Sequence, residues 1–182
     1  MPRGKLIFIT GGARSGKSNF AEKMAISLGK SVAYLATAQP LDKEMTCRIE
    51  KHKNNRPVDW ETYEEPIEVS KLVSHLGHEK EVILIDCLTL LISNLLLIKE
   101  NKIGNPQMEE EIISEIKKLA ENSSKATAQV IIVSNEVGMG LVPDNVIGRV
   151  YRDILGRANS IIANKADEVF MMISGIPLKI KG

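Results

Sequence analysis

Short apolar runs alternate with stretches of helical spacing along almost the whole chain. Residues 5–10 (KLIFIT) are β-branched and apolar and stop at Gly11-Gly12, which predicts a buried strand. In 18–28, Phe20, Met24 and Leu28 recur at helical spacing, and Gly29 ends the pattern. Residues 31–36 (SVAYLA) read as a second strand. Residues 41–53 read as a helix with Met45 and Ile49 on its apolar stripe, broken by Asn54-Asn55-Arg56-Pro57. An extended piece at 60–63 follows, then a helix over 67–76, a buried strand at 81–86 (EVILID) and an apolar helix over 88–98. Residues 101–106 are the most linker-like. The pattern then predicts an exposed, charge-laced helix over 107–123, with Glu111 and Glu115 facing Lys118 and its neighbours. A strand at 129–134, a turn and cap at Pro143-Asp144-Asn145, and a helix running to Lys165 come next. Two strands at 169–173 and 178–180, joined at Ser174-Gly175, close the chain. Strands alternating with helices predict an α/β fold of the doubly wound type. Its sheet is mostly parallel, with an antiparallel hairpin at one edge.

Length and composition narrow this further. The 182 residues suit one domain spanning 1–182, and 43% hydrophobic with 26% charged residues is ordinary for a globular chain. A net charge of +1 and 4% aromatics argue against a generic nucleic-acid or membrane-surface binder. No apolar run approaches the roughly 18 residues of a membrane span. The two cysteines, Cys47 and Cys87, fall inside regular segments with no signal peptide before them, so buried thiols in a reducing cytoplasm are expected.

Gly11-Gly12-Ala13-Arg14-Ser15-Gly16-Lys17-Ser18 satisfies G-x4-G-K-[ST] between a predicted strand and a predicted helix. Glycines let backbone N–H groups turn onto phosphate oxygens, and the helix start adds its positive end. Lys17 is placed to reach the β- and γ-phosphates, and the Ser18 hydroxyl to hold Mg²⁺. Asp86, ending EVILID, is the candidate acid to complete the metal shell; an acid capping the next helix is the plainer reading. These segments imply a nucleoside triphosphate and Mg²⁺ without saying where the phosphate goes.

Of three histidines, His75 and His78 lie near a helix end beside Gly77 and are assigned no role. His52 shares a helix face with Glu44 and Arg48, and Lys53 and Arg56 follow it. That arrangement suits a histidine attacking a phosphate beside cations, and equally a solvated ladder of surface charges. Asn135 and Glu136 could orient substrate or cap a loop. Arg149, Arg152 and Arg157 read as a solvated basic face or a contact surface, and Trp60 as packing or a site edge.

Beyond these local readings, a full-length series of blocks resembles one family. The series runs from Ile9-Thr10 through the glycine loop to Tyr34-Leu35-Ala36-Thr37-Ala38, then Arg48-Ile49, His52-Lys53, Arg56-Pro57 and Trp60. It continues with Asp86-Cys87-Leu88-Thr89, Ser134-Asn135-Glu136-Val137-Gly138-Met139-Gly140, Val142-Pro143, Arg152-Asp153 and Gly156-Arg157. Ala166-Asp167-Glu168-Val169, Ser174-Gly175-Ile176 and Lys179-Ile180-Lys181 complete it. The series resembles the bifunctional adenosylcobinamide kinase / adenosylcobinamide-phosphate guanylyltransferase family of cobalamin biosynthesis. Asn135 to Gly140 is far more specific than the glycine loop.

The resemblance implies a P-loop, RecA-like fold and two reactions. ATP or GTP phosphorylates adenosylcobinamide; GTP then donates GMP to that phosphate, giving adenosylcobinamide-GDP and pyrophosphate. It implies a GMP carried on the residue matching His52. It further implies nucleotide contacts at Gly11 to Ser18, at Ala36, Thr37 and Ala38, at Lys53, Asn54, Asn55 and Arg56, and at Glu64 and Asp86. A homotrimer is implied as well. Two departures stand out: Lys51-His52 where some relatives carry paired histidines, leaving Lys51 as an alternative nucleophile, and Asn54-Asn55 in place of an acidic-glycine pair. A single-activity P-loop small-molecule kinase and a nucleotide-dependent switch are the competing readings, and His52, Lys53, Arg56 and Glu64 together favour the bifunctional enzyme.

Overall fold

Seven strands form one sheet in a computed structural model, in the order β3-β2-β4-β5-β1-β6-β7. The structure describes residues 2–99, 101, 103 and 105–182, with Arg48 and Asn55 described in their backbone alone. The strands are β1 Leu6–Gly11, β2 Val32–Ala36, β3 Glu61–Glu64, β4 Val82–Asp86, β5 Gln129–Val133, β6 Glu168–Ile173 and β7 Ile176–Lys181. The helices are α1 Lys17–Leu28, α2 Lys43–Asn55, α3 Val69–Leu76, α4 Leu88–Ile98, α5 Pro106–Lys125 and α6 Val146–Lys165. All neighbouring strands are parallel except β6 and β7, which pair antiparallel across Ser174-Gly175. The expected α/β fold with an antiparallel edge is the one observed.

The period of two sorts the strand residues onto two faces. Leu6, Phe8, Leu35, Ile83, Ile85, Val130 and Ile132 meet helix residues such as Val73, Ile92, Ile112 and Ile154 in the larger core cluster. Ile7, Ile9, Tyr34, Leu84, Ile131 and Val133 face the other way, toward Ala21 and Ala25 of α1 and toward Trp60. Both faces are therefore covered, as the unbroken apolar strands demand.

Several expectations change in the fold. Spacing predicts Phe20, Met24 and Leu28 as the inner stripe of α1, yet the helix turns Ala21 and Ala25 to the sheet and leaves Leu28 exposed. Small side chains let α1 approach closely, while Phe20 packs edge-on to Phe170 at 5.4 Å between ring centroids. The exposed helix expected over 107–123 is instead half core. α5 buries Met108, Ile112, Ile113, Ile116, Leu119 and Ala120, and its charges occupy only the outer face. On that face Glu115 pairs with Lys118, and Glu111 pairs with Lys99 at 2.5 Å. Cys47 is exposed rather than buried, because α2 is a surface helix with Met45 and Ile49 only partly covered. Asn54 and Asn55 lie within α2 instead of breaking it; Arg56 caps it ahead of Pro57. Part of the linker expected over 101–106 falls outside the described residues, and Asn105 within it caps α5.

β7 is an exposed edge strand, and Pro177, Lys179 and Lys181 discourage further pairing there. No helix among the described residues is long and apolar enough to cross a membrane.

Candidate nucleotide site

In a parallel sheet the strand C-termini share one edge, where ligands bind. Register aligns Glu64 on β3, Ala36 on β2 and Asp86 on β4 at the same level. β1 ends two strands from β4, with β5 between them, and delivers the glycine loop to that edge.

The loop conformation needs its glycines. Gly11 has φ 145° and Gly16 φ 91°, and a Cβ on Gly11 would sit 2.5 Å from the Met172 carbonyl oxygen. Gly12, by contrast, has open space where a Cβ would go. The N–H of Ser15 turns back onto the Gly12 carbonyl at 3.3 Å, and the Gly175 N–H donates to the Ser15 carbonyl at 3.1 Å. The β6–β7 turn thus braces the loop from outside, a contact with no local sequence signal because it joins segments far apart in the chain.

Lys17 is buried, and its Nζ donates to the carbonyls of Gly11 at 2.9 Å and Gly12 at 2.6 Å. Burial lowers its pKa, opposed by the field of the Asp86 carboxylate. Among the described residues no carboxylate pairs with it, so the loop presents a desolvated cation that a phosphate would neutralise. Arg14 adopts φ 57° and is exposed; Ala13 is exposed, the Ser15 hydroxyl is buried without a partner, and Ser18 is half-buried on the first turn of α1.

Around Asp86 the groups converge. The Tyr34 hydroxyl donates to Asp86 Oδ2 at 2.7 Å. Glu22, one turn beyond Ser18 on α1, has its pKa raised by burial and then by Asp86, while His52 and Arg56 pull it down. Two carboxylates near a phosphate loop make a cation favourable there. Ser18 and Asp86 offer the hard oxygen donors that Mg²⁺ takes beside nucleotide phosphates. Among the described residues there is no group of three or more His, Cys, Asp or Glu that could cage a metal unaided.

Thr37 is fully buried. Its hydroxyl accepts from the Cys87 N–H and donates to the Cys87 carbonyl, both at 2.8 Å. Its own N–H donates to the Asp86 carbonyl at 3.2 Å, and its carbonyl accepts from Asn94 at 2.8 Å. Thr37 therefore ties the end of β2 to the turn after β4, with Ala38 half-buried beside it. Burial pushes the Cys87 thiol up to about 12, so it stays a neutral packing group.

His52 is exposed on the last turn of α2. The Arg48 and Asn55 side chains named with it in the sequence lie outside the described residues. Lys53 pairs with Glu64, and the Arg56 guanidinium lies 3.6 Å over the Tyr34 ring, with Nη1 donating to Thr62 at 3.3 Å. Asn54 is exposed. The end of α2 is thus fastened to β3 and β2 on the side that bears Asp86. Sequence reading missed Tyr34 and Glu22. Tyr34 looks like any core residue of an apolar strand, whereas Glu22 could have been found from its i+4 spacing to Ser18.

His75 is exposed, with Glu79 3.6 Å away, and His78 is exposed as well. Glu136 is held by its N–H on the Gly11 carbonyl at 3.0 Å and caps the Gly138 N–H at 2.7 Å. Arg157 pairs with Glu110 at 2.8 Å, away from the loop.

Fold and loop together define a P-loop nucleotide-binding protein of the RecA-like type. Solved structures agree on that fold. The chain superposes on the RadB recombinase (TM-score 0.50, 14% identity, 93% of this chain and 74% of that one). It also superposes on a type III secretion system ATPase (TM-score 0.58, 11% identity, 93% and 51%). The family profile described as cobinamide kinase / cobinamide phosphate guanyltransferase matches residues 7–180. The bifunctional adenosylcobalamin biosynthesis protein CobU of Escherichia coli strain K12 is 41% identical over 97% of this chain and 99% of its own. Its counterpart of the same name in Salmonella typhimurium is 42% identical over the same shares, and CobP of Pseudomonas aeruginosa 38% over 96% of each. The chain belongs to the CobU family and is a bifunctional enzyme of cobalamin biosynthesis, a cobinamide kinase and cobinamide-phosphate guanylyltransferase.

Proposed function

We propose that the 182 residues work as one catalytic domain in which the P-loop holds the nucleotide for both half-reactions and His52 carries GMP between them. In the kinase step the Gly11 to Ser18 backbone cradles the phosphates of ATP or GTP. Lys17, released from the Gly11 and Gly12 carbonyls, neutralises the transferring γ-phosphoryl group as the aminopropanol hydroxyl of adenosylcobinamide attacks it; the γ-phosphorus bond to the bridging oxygen breaks, the nucleoside diphosphate leaves and the hydroxyl proton passes to water. Ser18 and Asp86 would hold Mg²⁺, which when bound offsets charge on the β- and γ-phosphates.

In the transfer step a neutral His52 imidazole nitrogen attacks the α-phosphorus of GTP. An N–P bond forms, the bond to the bridging oxygen breaks, and pyrophosphate leaves. A phosphate oxygen of adenosylcobinamide phosphate then attacks the same phosphorus, and the N–P bond breaks to give adenosylcobinamide-GDP and free His52. Lys53 and Arg56 supply positive charge beside the histidine, with Asn54, Asn55, Glu64 and the Ala36 to Ala38 segment as further nucleotide contacts.

The observation that carries this reading is the fastening of the His52 end of α2 to the strand ends beside Asp86, through Lys53–Glu64 and Arg56–Tyr34. Exposed apolar side chains on β7 and at Met139, Leu141 and Val142 support the homotrimer as a surface a second copy would cover. Free Cys47 and Cys87 are in keeping with the cytoplasm.

The test is incubation with Mg²⁺ and GTP labelled at the α-phosphate, without corrinoid, then denaturation and mapping. Acid-labile, alkali-stable label that vanishes in His52→Ala is expected. Label that persists in His52→Ala moves the nucleophile to Lys51. GTP binding with no label overturns the covalent GMP–His52 step and makes the single-activity kinase the reading to test.

A further inference from the structure

Tyr34 lies in the middle of β2, beside Leu84 on β4 and Thr62 on β3. Its side chain is only 2% exposed and stands on the sheet face that carries α1. Asp86 pairs with Ala36, two residues further along β2, so it stands diagonally ahead of Tyr34 on the same face. A long aromatic side chain spans that diagonal, and the hydroxyl reaches Asp86 Oδ2 at 2.7 Å.

The ring has a second use. Arg56 Cζ sits 3.6 Å from its centroid, and Arg56 Nη1 is steadied by Thr62, the neighbour of Tyr34 across the strand pair. Arg56 Nε is buried with no hydrogen-bond partner, so the ring face and Thr62 are what orient the guanidinium. One buried side chain therefore touches both the acid at the end of β4 and the cation that caps the histidine helix.

We propose that Tyr34 is a positioning residue shared by the two half-reactions, its hydroxyl aiming the Asp86 carboxylate at the nucleotide's cation and its ring seating Arg56 for the transfer step. The inference rests on the reading of Asp86 and Arg56 given above. A tyrosine that only packed would need no particular acceptor for its hydroxyl. Here the acceptor is the one acid that ends β4, and the hydrogen bond leaves Oδ1 for a ligand. Outer-shell partners of this kind typically change metal affinity about 10–100-fold. Seating a guanidinium on a ring is worth about 2–30-fold in whatever that cation binds.

The experiment measures Mg²⁺-dependent binding of a non-hydrolysable GTP analogue by calorimetry, with wild type, Tyr34→Phe, Tyr34→Leu and Asp86→Asn. Thermal melts are recorded alongside. Tyr34→Phe is expected to raise the Mg²⁺ concentration at half-saturation by about 10-fold or more, a shift selective for the metal dependence over metal-free nucleotide affinity. Tyr34→Leu, which loses ring and hydroxyl, is expected to match that shift and in addition to form labelled GMP-protein about 2–30-fold more slowly than Tyr34→Phe. If Tyr34→Leu does not fold, Tyr34→Phe decides alone. A normal Mg²⁺ dependence in Tyr34→Phe, with Asp86→Asn shifted, overturns the role of Tyr34 while sparing that of Asp86. A normal dependence in Asp86→Asn overturns the underlying reading of the acid and the inference with it.

Discussion

Thr37→Val separates a structural clamp from a nucleotide contact at a residue the family resemblance assigns to the nucleotide. Valine keeps the shape and removes the hydroxyl, which makes two 2.8 Å hydrogen bonds with the Cys87 backbone at a fully buried position. The Cys87 carbonyl keeps a partner, since it also accepts from the Leu91 N–H at 3.2 Å. The Cys87 N–H is left orphaned beneath the sheet edge. One net hydrogen bond at about 1 kcal/mol and one unsatisfied donor at about 1–3 kcal/mol give a loss of about 2–4 kcal/mol. For a chain of this size that is a fall in melting temperature of about 4–16 °C. Thr37→Ser keeps the hydroxyl and loses one methyl group, so it should cost about 1 kcal/mol. The assay is urea denaturation of the three proteins without nucleotide, followed by GTP titration. A Thr37→Val protein within about 0.5 kcal/mol of wild type, whose GTP affinity has nevertheless fallen, refutes the clamp and makes the side chain a ligand contact.

Gly11 and Gly12 should respond in opposite ways. Gly11→Ala forces a Cβ to 2.5 Å from the Met172 carbonyl at φ 145°, and denaturation should register a loss of about 2 kcal/mol or more. Gly12→Ala meets open space, so stability should hold while calorimetry finds GTP affinity down at least about 10-fold, because the new methyl occupies the approach of the phosphates. At the far end of β1, the Arg3 guanidinium at 2.6 Å and the Leu6 N–H at 2.8 Å hold Asp167 at about 2, below its usual 3.8. Its lowered pKa means the contribution is present above about pH 4 and lost as pH falls toward 2. After discounting for the exposure of Arg3, Asp167→Asn should cost about 1 kcal/mol at pH 7 and clearly less at pH 2, read from denaturation at the two pH values.

What the chain discloses on its own is what depends on local order. The glycine loop is legible because its chemistry needs one contiguous run of residue types, and Asp86 because it ends an unmistakable strand. The faces of α1 and α5 are less so. In α1 the inward residues are alanines, which carry little hydropathy, so the larger Phe20 and Met24 dominate the pattern although they sit at the margin. In α5 the numerous charges disguise a regular apolar stripe from Met108 to Ala120. Tyr34 and Thr37 act across strand pairs, Tyr34 on Asp86 and Thr37 on Cys87. No spacing along the chain records which hydroxyl meets which partner. Cys47 fails as a buried thiol for a related reason: a helical pattern says which residues share a face, not whether that face is covered.

The two chemistries make opposite demands on the same edge of the sheet. Phosphoryl transfer needs a fixed cradle, and the loop is fixed: left-handed glycines, a brace from the β6–β7 turn and a buried Lys17 already held by carbonyls. Guanylyl transfer through His52, as proposed above, would need that histidine free to meet the α-phosphate of one molecule and then the phosphate of another. The helix that carries His52 is bound accordingly, by an exposed Lys53–Glu64 pair and a guanidinium resting on a ring. Exposed ion pairs contribute about 0–1 kcal/mol, so a phosphate can take Lys53 from Glu64 at little cost. The cations that restrain α2 are the same ones the nucleotide would recruit. On the proposed reading, binding of GTP would exchange internal restraints for ligand contacts near His52, while in the loop the backbone would hold and only Lys17 Nζ would leave the Gly11 and Gly12 carbonyls for phosphate.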